Sequence, residues 1–119
     1  MAVDDQIVTV GEGDTRPIMT LTLYTRDTTG TKTVADLSGV GTTAKLTMTP
    51  LDSSTAKISA AAMSIVAPGT GGIVQYSWVA ANTDTPGEYR AKVKVTYTGG
   101  AIETFPNKGY FRVIVTERD

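Results

Sequence analysis

The stretch Asn82-Thr83-Asp84-Thr85-Pro86-Gly87-Glu88-Tyr89-Arg90-Ala91-Lys92-Val93-Lys94-Val95-Thr96-Tyr97 decides the fold of this chain. Turn-forming residues fill its first half, and its second half alternates between apolar and polar side chains. Because successive side chains of a strand point to opposite faces, each face has its own set. One face carries Tyr89, Ala91, Val93, Val95 and Tyr97, and the other carries Arg90, Lys92, Lys94 and Thr96. This pattern predicts a half-buried antiparallel strand.

The rest of the chain repeats this two-residue period. Threonine and valine recur throughout, glycine and proline interrupt the chain at short intervals, and no long segment has a 3.6-residue apolar period. Further strands are predicted at residues 6–10, 18–24, 32–34, 43–49, 62–66, 73–79 and 110–116. Residues 50–59 are predicted to form a loop, and the strands at 62–66 and 73–79 to form a hairpin.

Short strands with short connections predict an all-β sandwich or barrel. Of the two we expect an immunoglobulin-like antiparallel β-sandwich of seven to nine strands and Greek-key type, because of the position of Tyr89. The 119 residues are predicted to form one domain, 1–119, with a single core. Tyr89 follows the Pro86-Gly87 turn at the start of its strand. In immunoglobulin-like sandwiches a tyrosine at such a place ties down the preceding corner through its hydroxyl group.

Gly99-Gly100 separates two alternating runs and predicts a tight two-residue reversal. In that register Thr96 faces Glu103, and Phe105 points away from the core. An exposed aromatic side chain is typical of a protein contact. Phe105 is therefore predicted as a partner-contact residue, and Tyr24 is a second aromatic that falls outside the predicted core.

Composition excludes several functions. The chain has no cysteine and no histidine, which removes disulfides, zinc sites and the usual general base near neutral pH. Its net charge of −1 argues against nucleic acid as a partner. The acidic N-terminus, residues 1–5, is unlike a signal peptide, and no apolar run approaches the ~20 residues that cross a bilayer. We therefore expect an unprocessed soluble protein that contacts neither membrane nor nucleic acid.

Two loops carry paired acids, Glu12 with Asp14 and Asp84 with Glu88. Together such loops could hold a calcium ion, but their spacing does not match a calcium-binding loop. Turn formation and solvation explain these acids better. No metal ion and no cofactor is predicted.

Two sets of side chains admit a binding function beside a structural one. Arg90, Lys92 and Lys94 form a basic row that is either the solvated face of a sheet and a guard against edge pairing, or a docking surface. The aromatic residues Trp78, Tyr76, Tyr89 and Tyr97 could form a sugar platform. Their strand positions favour a packed interior instead.

Five motifs follow one another in a recognisable order: Gly13-Asp14-Thr15-Arg16-Pro17, Asp36-Leu37-Ser38-Gly39, Gly72-Ile73-Val74-Gln75-Tyr76-Ser77-Trp78, Asp84-Thr85-Pro86-Gly87-Glu88-Tyr89-Arg90-Ala91, and Thr104-Phe105-Pro106 with Gly109-Tyr110. In this order and spacing the chain resembles the immunoglobulin-like domains of tailed bacteriophages and prophages, in particular the N-terminal domain type of baseplate upper proteins. The resemblance covers nearly the whole chain.

The resemblance implies a virion component that is made in the bacterial cytoplasm and built into a tail, baseplate or neck. It implies no enzymatic role and no catalytic residues. The expected partners are other virion proteins or further copies of this chain. Two alternatives remain open at this point: a carbohydrate-binding module for bacterial surface glycans, and a small hydrolase with a carboxylate pair in a cleft.

Overall fold

The structure is a computed structural model that describes residues 3–26, 31–106 and 109–117. Within these ranges the chain forms ten strands and one short 3₁₀ turn, Ala80–Asn82. The strands are β1 (Val3–Gly11), β2 (Met19–Thr22), β3 (Tyr24–Arg26), β4 (Lys32–Val34), β5 (Thr43–Pro50), β6 (Ile58–Ile65), β7 (Ile73–Tyr76), β8 (Gly87–Thr96), β9 (Ile102–Phe105) and β10 (Tyr110–Thr116). The prediction of an all-β protein is confirmed. The turn predicted from residues 27–30 lies outside the described residues.

Eight of the described strands form one sheet, in the order β1-β10-β8-β5-β6-β7-β2, with β9 also paired to β8. β3 and β4 form a separate two-stranded ribbon. β1 runs parallel to β10, and the other pairs are antiparallel. The sheet is therefore mixed, and β8 lies in its interior.

The two ends of the sheet meet through one side chain. The Gln6 Nε2 group on β1 donates to the Thr22 carbonyl on β2 at 2.6 Å, and the Thr22 N–H donates to Gln6 Oε1 at 2.7 Å. The side-chain amide thus substitutes for a backbone ladder between these strands. The result is a mixed sheet nearly closed into a barrel.

The core lies inside this curved sheet, and the alternation of β5, β8 and β10 supplies much of it. The buried apolar side chains of these strands are Ala44, Leu46, Met48, Tyr89, Ala91, Val93, Val95, Phe111, Val113 and Val115. Met19, Leu21, Leu23, Val74 and Trp78 join them from the other side of the core. The predicted inward faces of these strands are confirmed.

The strand predicted at residues 18–24 is divided at Leu23. The Leu23 N–H donates to the Gly72 carbonyl, and the Leu23 carbonyl accepts from the Ala35 N–H. The residues before Leu23 therefore pair with β7, and those after it pair with β4. Alternation continues through the change, so the period alone could not reveal it.

β6 begins at Ile58, inside the segment that was predicted to be a loop. Ala60 has a φ of 51°, and the register between β5 and β6 shifts between Leu46 and Met48. This bulge breaks the two-residue period, so the pattern predicted this strand only from residue 62 onward. The last residues of β6 pair with β7, which confirms the predicted hairpin.

The β8–β9 connection corrects two predictions. Val95 pairs with Glu103 and Val93 with Phe105, and the loop is closed by a hydrogen bond from the Tyr97 N–H to the Ala101 carbonyl. A one-residue change of register exchanges the two faces of a strand. Phe105 consequently points inward and is 0% exposed, so the prediction that Phe105 points away from the core as an exposed aromatic is wrong. Ile102 is 59% exposed.

β9 and β10 lie end to end along the same edge of β8. β10 pairs with β8 residues 87–91, and β9 pairs with residues 93–96. Between the two strands the structure describes Pro106 and Gly109, which are both buried. Lys92 therefore stands opposite the break between the two strands.

Candidate functional site

The corner before β8 has the geometry that the sequence predicts. The Tyr89 hydroxyl donates to the Thr85 carbonyl at 2.6 Å, and the Tyr89 side chain is buried. Burial is the main cause that raises the pKa of Tyr89 above its ordinary value. The hydroxyl therefore stays protonated as a donor at neutral pH and fixes the loop from which β8 begins.

The predicted basic row lies on the outer face of β8 and is wider than the sequence indicated. Lys94 stands directly opposite Lys45 of β5, and Lys92 stands opposite Thr47. The side chains of all three lysines are exposed. We call the surface formed by Lys45, Lys92 and Lys94 the cationic face.

A groove of about 270 Å³ runs along the cationic face. Its lining consists of Thr47, Thr49, Arg90, Lys92, Lys94 and Thr104. Thr104 belongs to β9 and stands opposite Lys94. Hydroxyl groups from β5 and β9 thus flank the ammonium groups of β8.

Arg90 lines the groove but already has partners of its own. Its Nη1 group donates to the carbonyls of Pro50 at 3.1 Å and Leu51 at 3.3 Å, and its Nη2 group donates to the Ser53 carbonyl at 3.0 Å. Arg90 therefore holds the connection between β5 and β6. Lys92 and Lys94 are the predicted contact residues that face solvent.

The two acidic loops do approach each other, but through other groups. The Gly13 N–H donates to the Thr83 carbonyl at 2.8 Å, and the Thr83 hydroxyl donates to the Asp14 carbonyl at 2.9 Å. Within the described ranges, no group of three or more Asp or Glu side chains is arranged to hold a metal ion. The loops are joined by backbone groups and one threonine.

Two carboxylates of this region lie in ion pairs. Asp84 is 2.5 Å from the Lys57 ammonium group, and Glu88 is 2.8 Å from the Arg112 guanidinium group. The hydrogen bond from Lys57 lowers the pKa of Asp84, and the hydrogen bond from Arg112 lowers the pKa of Glu88. Both acids therefore remain ionised well below neutral pH.

A second cavity, about 440 Å³, lies at the start of β8 and is lined by Asp52 and Glu88 among other residues. A two-carboxylate hydrolase needs one acid whose pKa is raised so that it can donate a proton. Arg112 shifts the pKa of Glu88 the other way. This geometry gives no support to the hydrolase hypothesis.

The aromatic side chains are packed rather than displayed. Every Phe, Tyr and Trp of the chain lies within the described ranges, and none of these side chains is exposed. Trp78 is 4% exposed, its indole N–H donates to the Pro17 carbonyl, and its ring meets Tyr76 edge to face. Tyr24 is half-buried beside the Lys32 ammonium group. A sugar platform would need an open ring, so no observation favours glycan binding.

Two side-chain arrangements escaped the sequence reasoning. The alternation at residues 43–49 predicts that Lys45 faces outward. Its position beside Lys94 could not be predicted, because β5 and β8 are distant in sequence.

Glu103 points inward and accepts hydrogen bonds from the Tyr97 hydroxyl at 2.8 Å and the Thr25 hydroxyl at 3.1 Å. Burial, together with the Glu103 carboxylate, raises the pKa of Tyr97 above its ordinary value. An inward charge on β9 also discourages pairing with a foreign strand.

Comparison with known proteins assigns no family. No protein-family model matches the chain, and a search of the curated proteins finds no match. Among the described residues, no helix has the length and apolar character needed to cross a membrane.

Proposed function

We propose that this chain is a non-enzymatic structural and docking module of a phage or prophage virion, built into a tail, baseplate or neck. The observation that carries the proposal is the Tyr89 hydroxyl bound to the Thr85 carbonyl. It lies within Asp84-Thr85-Pro86-Gly87-Glu88-Tyr89-Arg90-Ala91, one of the motifs on which the resemblance to phage domains depends. A tyrosine corner of this kind is characteristic of immunoglobulin-like domains.

Strand order supports an immunoglobulin-like sandwich of Greek-key type. β5, β8 and β10 lie side by side, as strands C, F and G do in immunoglobulin domains, and β2 pairs with β7 as B pairs with E. In this interpretation Tyr89 opens strand F, which is its place in the immunoglobulin fold. The near closure of the sheet through β6 and Gln6 then joins the two layers at their sides.

The proposed mechanism is rigid presentation of outer surfaces to neighbouring virion proteins or to further copies of this chain. Arg90 fixes the β5–β6 connection, and Tyr89 fixes the corner before β8. The neighbouring strands β5 and β8 therefore present a stable outer face. Since Phe105 is buried, contacts pass instead to Lys92 and Lys94. The module would be made in the bacterial cytoplasm and then incorporated into the particle.

A non-enzymatic role agrees with the available chemistry. The sequence supplies no histidine or cysteine, and Asp84 and Glu88 are held as ionised partners of Lys57 and Arg112. The Asp84 pair holds the loop before β8, and the Glu88 pair joins β8 to β10. These acids are poorly placed to donate a proton to a substrate.

Co-assembly with the products of neighbouring genes tests the proposal. The purified chain should co-elute on size-exclusion chromatography with at least one tail, baseplate or neck protein encoded beside it. An Arg16→Gln variant, altered at an exposed position outside the cationic face, should co-elute equally well. Failure to bind any adjacent virion protein, or a gene placed in a metabolic operon, would contradict the proposal.

A further inference from the structure

We propose that the groove along the cationic face binds an extended acidic segment of a partner protein. The inference rests on the proposed docking function and names the chemistry of what docks there. The groove is lined by Lys92 and Lys94 on β8, Thr47 on β5 and Thr104 on β9, among other residues, and Lys45 lies beside it, opposite Lys94.

The first support is the arrangement of like charges. Lys45 and Lys94 are direct cross-strand neighbours, and like charges in that position destabilise a sheet. Among the described side chains, no carboxylate is paired with Lys45, Lys92 or Lys94. The repulsion between Lys45 and Lys94 lowers the stability of the free molecule. A negatively charged partner bound over these lysines would offset that repulsion.

The second support is the place of these lysines in the sheet. Lysine on an edge strand is explained by the need to block further pairing. β8 has β5 on one side and β9 with β10 on the other, and β5 lies between β8 and β6. Lys45 and Lys94 therefore guard no edge, because their strands are paired on both sides. Lys92 lies opposite the break between β9 and β10, so edge protection could account for Lys92 alone and not for the three lysines together.

The third support is the spacing. Lys92 and Lys94 lie two residues apart on one strand face, about 7 Å along the chain direction. An extended peptide has the same two-residue period, so acids at alternate positions can face successive lysines. Thr47 on the flanking strand β5 also lines the groove. Its hydroxyl oxygen accepts a hydrogen bond from the Ala60 N–H at 3.2 Å, which leaves its own O–H to donate to a carboxylate oxygen. The groove thus matches an extended segment with Asp or Glu at every second residue.

Nucleic acid fits this surface less well. Tight phosphate binding depends on many neutralised phosphates, whereas this groove offers two solvent-facing lysines with a third beside it on a chain of net charge −1. The experiment therefore compares an oligonucleotide with the acidic peptide as the alternative ligand of the groove.

Nuclear magnetic resonance titration of the full chain tests the inference. The probe is a short synthetic peptide of alternating threonine and glutamate, compared with the same peptide carrying glutamine for glutamate. The glutamate peptide should shift the amide signals of Thr47, Lys92, Lys94 and Thr104 at low salt, and added salt should weaken this binding. Lys92→Gln and Lys94→Gln should each weaken binding roughly 2- to 5-fold, as expected for an exposed ion pair.

Two matched variants separate the groove from overall charge. Lys94→Arg keeps the charge and should keep the affinity, and Arg16→Gln removes a charge elsewhere and should leave the affinity unchanged within a factor of about two. Equal binding of the glutamine peptide, unchanged affinity of Lys94→Gln, or tighter binding of an oligonucleotide of equal charge would each overturn the inference.

The same variants distinguish this inference from the proposed function. If Lys92→Gln and Lys94→Gln bind a virion protein with the same dissociation constant as the unaltered chain, the groove proposal fails while the docking function stands. If the unaltered chain binds no neighbouring virion protein, the docking function fails whatever the peptide does.

Discussion

The Tyr89 hydroxyl joins the start of β8 to the loop before it, from a ring that is 2% exposed. Replacing Tyr89 with Phe keeps the ring and removes this hydrogen bond. A hydrogen bond of this kind contributes about 0.5–1.5 kcal/mol net. We therefore expect Tyr89→Phe to lower the free energy of unfolding by about 1 kcal/mol, measured by urea denaturation.

Tyr110→Phe is the matched control, because Tyr110 is half-buried on β10. It should change stability by less than about 0.5 kcal/mol. Equal effects of the two substitutions would mean that the corner hydrogen bond contributes nothing.

The ion pair between Glu88 and Arg112 predicts acid sensitivity. Arg112 lowers the pKa of Glu88 below its ordinary value of 4.5 in the folded chain. The unfolded chain then takes up the proton more readily, so this contribution to stability is present above pH ~4.5 and is lost as pH falls below it. Asp84, paired with Lys57, behaves in the same way below its ordinary pKa of 3.8.

Glu88→Gln should therefore reduce the loss of stability between about pH 5 and pH 3. Arg112→Gln should reduce it by a similar amount, since it removes the other partner of the same pair. Urea midpoints measured across this pH range give the comparison. A Glu88→Gln protein with the full acid sensitivity of the parent would show that the pair is not linked to folding.

Among the elements, β8 is the strand that could be predicted almost completely. Its alternation gave its two faces, and the Pro86-Gly87 turn gave its beginning. β9 could not be predicted in the same way, because a glycine pair is compatible with loops of several lengths. One residue of difference in the loop decides whether Phe105 or Ile102 enters the core.

Phe105→Ala tests the observed register. Since Phe105 is fully buried, truncation should cost about 3–5 kcal/mol. Ile102→Ala, on the exposed face of the same strand, should cost less than about 1 kcal/mol. Thermal and urea unfolding measure both values. A larger loss of stability from Ile102→Ala than from Phe105→Ala would contradict the observed register and favour the one predicted from a two-residue turn.

The junction of β1 with β2 depends on Gln6, whose side-chain hydrogen bonds with Thr22 could not be predicted from local alternation. Gln6→Met keeps the length of the side chain and removes both hydrogen bonds with Thr22. We expect a loss of about 1–3 kcal/mol. Hydrogen exchange should become faster at the Thr22 amide.

Thr9→Val on the exposed side of β1 is the control for this junction and should change stability by less than about 0.5 kcal/mol. An unchanged exchange rate at Thr22 in the Gln6→Met protein would mean that the sheet closes without this side chain.

Over the whole molecule, charge is nearly balanced in number and uneven in position. Lys94→Gln removes the repulsion across β5 and β8 and should raise stability by about 0.2–0.5 kcal/mol at low salt. The gain should shrink as salt screens the exposed charges. Urea midpoints at two salt concentrations test this. A loss of stability in Lys94→Gln would show that Lys94 has a favourable partner within the fold.

The sequence predicted the inward faces of long strands because each face depends on local alternation. It could not predict which strands become neighbours, and the candidate site depends on those pairings. Lys92 and Lys94 were identified from β8 alone, whereas Lys45 joined them only through the pairing of β5 with β8. The break opposite Lys92 likewise depends on where β9 ends and β10 begins.

The parallel pairing of β1 with β10 has a mechanical consequence. Val3 lies opposite Tyr110 at one end of the pair, and Gly11 lies opposite Thr116 at the other. Tension applied between Val3 and Thr116 therefore drags the two strands lengthwise past each other. The backbone hydrogen bonds between them are loaded together in shear instead of opening one by one as in an unzipping hairpin. We expect the fold to resist stretching along this axis more strongly than its modest size suggests.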